Sequence, residues 1–152
     1  GIPFIFDPGQ GLPMFGGQEL EEFVRLADYV TVNDYEAKLL TERTGRTLEQ
    51  LASGVKALIV TLGAQGSQIY TEGRCIDIPA ATPDAVIDPT GCGDAYRGGV
   101  LDGLSQGWDW VRAARLGSGE HIEPPNVLLR RIRRQPFEQL HSPLTIPFGG
   151  DR

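Results

Sequence analysis

Cysteine, histidine and long apolar runs are scarce in this 152-residue chain. No apolar run approaches the length that crosses a bilayer, and none reads as a signal peptide. A cytoplasmic protein with no membrane partner is therefore expected. The two cysteines, Cys75 and Cys92, lack a metal-ligand spacing and read as reduced thiols rather than as a disulfide. His121 and His141 stand far apart; Glu120 and Glu123 flank the first, but no wider ligand set accompanies them, so neither is expected to hold a metal. Basic charge is in deficit, with 14 Lys and Arg against 20 Asp and Glu. A net charge of −6 argues against nucleic acid as a partner. It leaves phosphorylated small molecules open, because local N–H groups and a metal ion can offset phosphate charge.

An apolar content of 40% and this length suffice for one domain with a core. The chain opens on Gly1-Ile2-Pro3-Phe4-Ile5-Phe6-Asp7, and residues 2–6 read as a buried, central parallel strand ended by Pro8 and Gly9. A helix is expected over 17–27, with Leu20, Phe23, Val24 and Ala27 on one face. Tyr29 to Val32 reads as a strand ending at Asn33, with Asp34 as cap of a second helix that Gly45 closes. Thr47 and Gln50 form a capping-box pattern for a third. Ala57 to Thr61 is the clearest strand, with Gly63 and Gly66 in the turn behind it. Residues 68–71 and 75–78 flank Glu72-Gly73 as a hairpin, residues 85–88 form a further strand, and another helix starts at Trp110. Alternating strands and helices predict an α/β layered domain with a mostly parallel sheet, its functional loops at the strand C-terminal ends. Asp7, Asn33, Thr61 and Asp88 stand at such ends.

The richest stretch is Asp88-Pro89-Thr90-Gly91-Cys92-Gly93-Asp94-Ala95-Tyr96-Arg97-Gly98-Gly99. Two glycines bracket a small residue, an aspartate follows, and a helix is expected from about Cys92 to Ser105. Free backbone N–H groups at a helix N-terminus favour an anion, and a carboxylate stands beside them. Donors for a phosphate together with a base for an alcohol are what phosphoryl transfer onto a hydroxyl requires. The plainer alternatives are a tight turn for Gly-x-Gly-Asp and an ordinary helix N-cap for Asp94. Cys92 reads as a small filler of the loop and not as a nucleophile.

The whole run resembles the signature D-T-x-G-A-G-D-x-F-x-x-G of the ribokinase-like kinases, the PfkB carbohydrate kinase family. Pro89, Cys92 and Tyr96 depart from it in the second, alanine and phenylalanine places. The resemblance implies a three-layer ribokinase-like α/β fold and ATP-dependent phosphorylation of a small sugar or nucleoside hydroxyl. Adenosine is favoured over ribose or fructose, because the Val32 to Glu36 segment and the glycine run look closest to bacterial adenosine-kinase-like members. It implies Asp94 as the general base, and Gly91, Cys92 and Gly93 as the anion hole that holds the γ-phosphate. Bulky replacements at Gly91 or Gly93 are expected to cost rate more than fold. Asn33 and Glu36 resemble the family's N-x-x-E motif, which orders magnesium near the phosphates, with Glu36 nearest the metal; the same four residues also make a good helix start. Thr61, Gly63 and Gly66 resemble its T-x-G-x-x-G nucleotide turn. Asp7-Pro8 resembles a further family segment, but the basic residue often found there is missing. A generic Rossmann phosphate site is disfavoured, since no Gly-x-Gly-x-x-Gly follows the first strand with an acidic residue about twenty positions on. The rival from another class is a non-catalytic, nucleotide-binding remnant of such a kinase. The residues fix no oligomeric state.

The resemblance covers residues 1–117, the second half of a family member, so a C-terminal fragment without the lid and first strands is expected. Residues 118–152 are read as a divergent tail. Residues 1–118 carry 9 basic and 16 acidic groups, and residues 119–152 carry 5 and 4. A shifted reading frame near Gly117 would explain the change, and a genuine lineage-specific tail is the alternative. Arg130, Arg131, Arg133 and Arg134 read as a solvated helix face, and Asn126 is assigned no adenine-site role. A sheet missing its first strands exposes an apolar edge. The chain by itself is therefore expected to be marginally stable or aggregation-prone, with little kinase activity; a soluble monomer with one sharp thermal transition would contradict this. Resequencing the coding DNA across codon 117 and beyond both ends tests the frame.

Overall fold

The computed structural model describes residues 2–82 and 91–120, all within the unit Gly1–Ile122. The expected strand at 85–88, the Asp88-Pro89-Thr90 part of the glycine run, both histidines, Asn126 and the arginine-rich tail lie outside the described residues. Ten elements carry the fold: β1 (Ile5–Phe6), α1 (Gly17–Leu26), β2 (Tyr29–Asn33), α2 (Asp34–Thr44), α3 (Leu48–Ala52), β3 (Ala57–Thr61), β4 (Ser67–Thr71), β5 (Arg74–Ile78), α4 (Cys92–Ser105) and α5 (Trp110–Gly117). Short 3-10 turns at Gly9–Met14 and Gly63–Gln65 follow β1 and β3.

The strands form one sheet in sequence order, β1-β2-β3-β4-β5. β1, β2 and β3 run parallel, while β4 and β5 add an antiparallel hairpin at one edge. Glu72 and Gly73 both take positive φ, 50° and 73°, as a two-residue hairpin turn that matches strand twist requires. β3 is apolar throughout its first four residues because both of its faces are covered. Leu58 and Val60 join Val30, Val32, Leu20, Val24 and Leu40 in a core beneath α1, α2 and α3. Ala57 and Ile59 join Ile69, Ile78, Tyr96, Val100 and Ala114 in a second core beneath α4 and α5. The result is the three-layer α/β arrangement.

Two local expectations change. The first strand is neither long nor central among the described residues: it has two half-buried residues, and Ile2 and Phe4 are exposed. Pro3 has no N–H to give, and the Phe4 N–H donates to Asp28 Oδ2 (3.1 Å) instead of to a strand. Asp28 also pairs with Lys56 Nζ at 2.8 Å, so it ties the residues just ahead of β1, β2 and β3 together. The cap of α2 is Asn33, not Asp34, because the Asn33 carboxamide oxygen reaches the Glu36 N–H at 2.8 Å. The expected bounds of α1 and α4, and the expected starts of α3 and α5, agree with the structure to within a residue.

α4 lies against α5 at backbone distance. A Cβ on Gly99 would stand 2.6 Å from Gly117 Cα, and one on Gly103 would stand 2.8 Å from Ala113 Cα. Glycine is thus required by approach, at a cost in helix propensity of about 1 kcal/mol per residue. Replacing Gly103 by valine should destabilise the fold by about 1–3 kcal/mol through overpacking. Valine at the open helical position Gly98 should cost far less; urea unfolding of both variants checks the difference.

Candidate active site

Parallel strands place their C-terminal ends on one edge of a sheet, and here that edge gathers most of the polar residues singled out above. Asn33 and Thr61 are direct partners on the last rung between β2 and β3. Asp7 follows the last residue of β1. The turn behind β3 begins at the same edge: Gly63 and Gly66 hold φ of 57° and 93°, and the Leu62 N–H donates to the Gly66 carbonyl at 2.8 Å. Gly66 is also fixed by crowding, since a Cβ there would meet the Ile78 carbonyl at 2.0 Å. Thr61 Oγ1 leans on the Val32 carbonyl at 3.5 Å, which leaves it weakly engaged.

Asn33 and Glu36 form a reciprocal capping box. Asn33 Oδ1 accepts from the Glu36 N–H, and Glu36 Oε2 accepts from the Asn33 N–H at 2.9 Å. The helix-start reading of Asn-x-x-Glu is thus realised in full. One Glu36 oxygen is committed to the cap, and the other has no hydrogen-bond partner among the described residues. Among the described residues no three His, Cys, Asp or Glu side chains gather to hold a metal ion.

The N-terminus of α4 is built on Gly91, not on Asp94. Gly91 sits at the cap position with φ of 80°, a conformation other L-residues rarely adopt, and a Cβ there would meet nothing within 4 Å. The first bond of the helix runs from the Ala95 N–H to the Gly91 carbonyl at 2.9 Å. The N–H groups of Cys92, Gly93 and Asp94 precede that ladder and have no intrahelical acceptor. A 14-residue helix points its positive dipole end at the same spot. Asp94 is the third helical residue, its side chain 79% exposed. Cys92 and Cys75 are both exposed free thiols.

Two residues at this site escaped the sequence reading. Arg97, one turn along α4, contacts Asp94 Oδ1 through Nη2 and Asp7 Oδ2 through Nε, the latter at 3.0 Å. It supplies in space the cation missing from the sequence around Asp7; the three-residue spacing from Asp94 was the signal that could have found it. Ser67, next to the Gly63–Gly66 turn, is buried and shares a 2.7 Å hydrogen bond with the buried Tyr96 hydroxyl. No local pattern pointed to it. Burial pushes the Tyr96 phenol above its ordinary pKa, and the Ser67 hydrogen bond pulls the other way. The structure thus joins Asp7 to Asp94 through Arg97, and the β3–β4 turn to α4 through Ser67. No hydrogen bond or ion pair among the described residues links the Asn33–Glu36 pair to Asp94.

Residues 6–119 match the model of the pfkB family carbohydrate kinases. The chain belongs to that family. It is 36% identical over 113 residues to a nucleoside kinase of Methanocaldococcus jannaschii, a match spanning 74% of this chain and 37% of that protein. Among solved structures, the Burkholderia thailandensis nucleoside kinase in complex with inosine has 53% identity and a TM-score of 0.74, over 77% of this chain and 39% of that one. The adenosine kinase of Sinorhizobium meliloti has 33% identity and a TM-score of 0.61, over 67% and 32%. The pfkB-type chain spans well under half the length of these relatives.

The Ser67–Tyr96 pair yields a direct test. Tyr96→Phe removes one partner and leaves a buried Ser67 hydroxyl, which should cost about 1–3 kcal/mol. Adding Ser67→Ala to that variant should recover most of the loss, because nothing is then left unsatisfied. Denaturant unfolding of the two single variants and the double variant checks the cycle; strict additivity would refute the pairing.

Proposed function

We propose that this chain carries the phosphoryl-transfer machinery of an ATP-dependent nucleoside kinase. The observation that carries the reading is the arrangement at the sheet edge. A carboxylate stands in the first turn of a helix whose leading N–H groups lack intrahelical acceptors, and the turn behind β3 lies at the same edge of the sheet. Asp94 takes the proton from the substrate hydroxyl. The backbone N–H groups from Gly91 to Gly93 receive the γ-phosphate as its charge redistributes. Thr61, Gly63, Gly66 and Asn33 line the approach of the nucleotide. Glu36, with one oxygen free of the cap, would hold the water shell of magnesium, and the ion would supply positive charge to the phosphates. The kinase-like region is assigned to residues 1–117, with 118–152 as a separate tail and the cytoplasm as the compartment.

A nucleoside is preferred to a free sugar because nucleoside kinases stand among the most similar relatives. Adenosine and inosine are the substrates to try first, the former from the motif resemblance and the latter because the Burkholderia thailandensis protein was solved with it. The decisive assay is ADP release with each nucleoside by the encoded protein, native and Asp94→Asn. Loss of a general base should lower kcat by about 100- to 10,000-fold while ATP affinity stays level. Full turnover by the Asp94→Asn variant would sink the mechanism. ATP binding without turnover in either form would favour the remnant reading.

A further inference from the structure

Arg97 touches two carboxylates that the chain places 87 residues apart, one on α4 and one at the end of β1. The three side chains differ in environment. Arg97 and Asp7 are each 28% exposed, whereas Asp94 is 79% exposed. A carboxylate that open, on the third residue of a helix, has no packing of its own to select a rotamer. The guanidinium is held from its shielded side by Asp7, and its fork then presents a second N–H direction to Asp94. Gly93 lies beside the same guanidinium, since a Cβ there would stand 3.4 Å from Arg97 Nη1, about van der Waals contact.

We propose that Arg97, anchored by Asp7, is a positioning residue that holds the Asp94 carboxylate in one orientation. The ion pair engages Oδ1 of Asp94, and among the described residues Oδ2 has no partner, which leaves it to take the substrate hydroxyl in this reading. Asp7 thus acts on Asp94 without touching it, and the end of β1 sets the geometry of a group carried by α4. The catalytic consequence rests on the reading of Asp94 as the base; the positional one does not.

The test separates the two. Three-bond couplings measured by NMR report the χ1 rotamers of Asp94 in the native chain and in Asp7→Asn, Arg97→Gln and Arg97→Lys variants. One dominant rotamer is expected in the native chain, and averaging is expected in both Arg97→Gln and Asp7→Asn. Arg97→Lys keeps the charge and guards against a folding defect. It should fold normally and still loosen Asp94, because an ammonium lacks the fork that bridges two carboxylates. In turnover assays Asp7→Asn and Arg97→Gln should lower kcat by about tenfold to a hundredfold, with KM for both substrates changed by less than about twofold. Combining the two substitutions should cost little more than the worse one alone. Averaged Asp94 rotamers in the native chain, or an unaltered single rotamer in Arg97→Gln or Asp7→Asn, would overturn the proposal. Unchanged turnover in Asp94→Asn alongside loosened rotamers in Asp7→Asn would leave the positioning standing and remove only the base.

Discussion

A helix that contains Gly93, Gly98, Gly99 and Gly103 has weak intrinsic reason to form. α4 forms because it packs both on the sheet and on α5, which covers the same sheet face beside it. Tyr96 and Val100 bury against Ala57, Ile59, Ile69 and Ile78, while Gly99 and Gly103 let the α5 backbone come within reach. The apolar area gained at two close interfaces offsets the propensity lost at the glycines. The positions of the Gly91 cap, the leading N–H groups and Asp94 all follow from how that helix is seated.

Strand polarity then decides where chemistry can gather. Because β1, β2 and β3 are parallel, the residues that end them emerge on one edge, where no further strand residue competes for their side chains. The opposite edge is structural. There Asp28 binds the Phe4 N–H and the Lys56 ammonium, and so gathers the residues that lead into all three strands. The difference between the two edges is one of strand direction and not of composition. The Asn33–Glu36 box works in both senses. It starts α2 by satisfying two backbone N–H groups, and it holds a carboxylate against the backbone of Asn33, the residue that pairs with Thr61 across the sheet.

Two departures of this chain from its family's pattern, the phenol of Tyr96 in the glycine run and the missing basic residue beside Asp7, have physical partners. A phenol in place of a phenyl ring would be costly in a core without a hydrogen-bond partner, and Ser67 provides one. The aspartate after β1 lacks a basic neighbour in sequence, and Arg97 provides one across the fold. Both complements lie far off along the chain, so no local pattern links Tyr96 to Ser67 or Asp7 to Arg97.

Local patterns in the sequence determined the elements and their ends. The spacing of Leu20 and Val24, the Thr47–Gln50 box, the apolar block of β3, the Glu72-Gly73 turn and the glycine run before α4 each specify structure within a few residues. The same residues named most of the candidate site, because anion-binding helix ends and strand-end polar residues rest on local backbone geometry. Tertiary structure alone decided the rest. It left β1 two residues long, with the Phe4 N–H on the Asp28 carboxylate and the Phe4 carbonyl on the start of β2, and it turned the weak helix formers of α4 into a packed helix. It also brought Arg97 to Asp7 and Ser67 to Tyr96. Those pairings join groups from different elements, and no periodicity within one element encodes which distant partner will stand opposite.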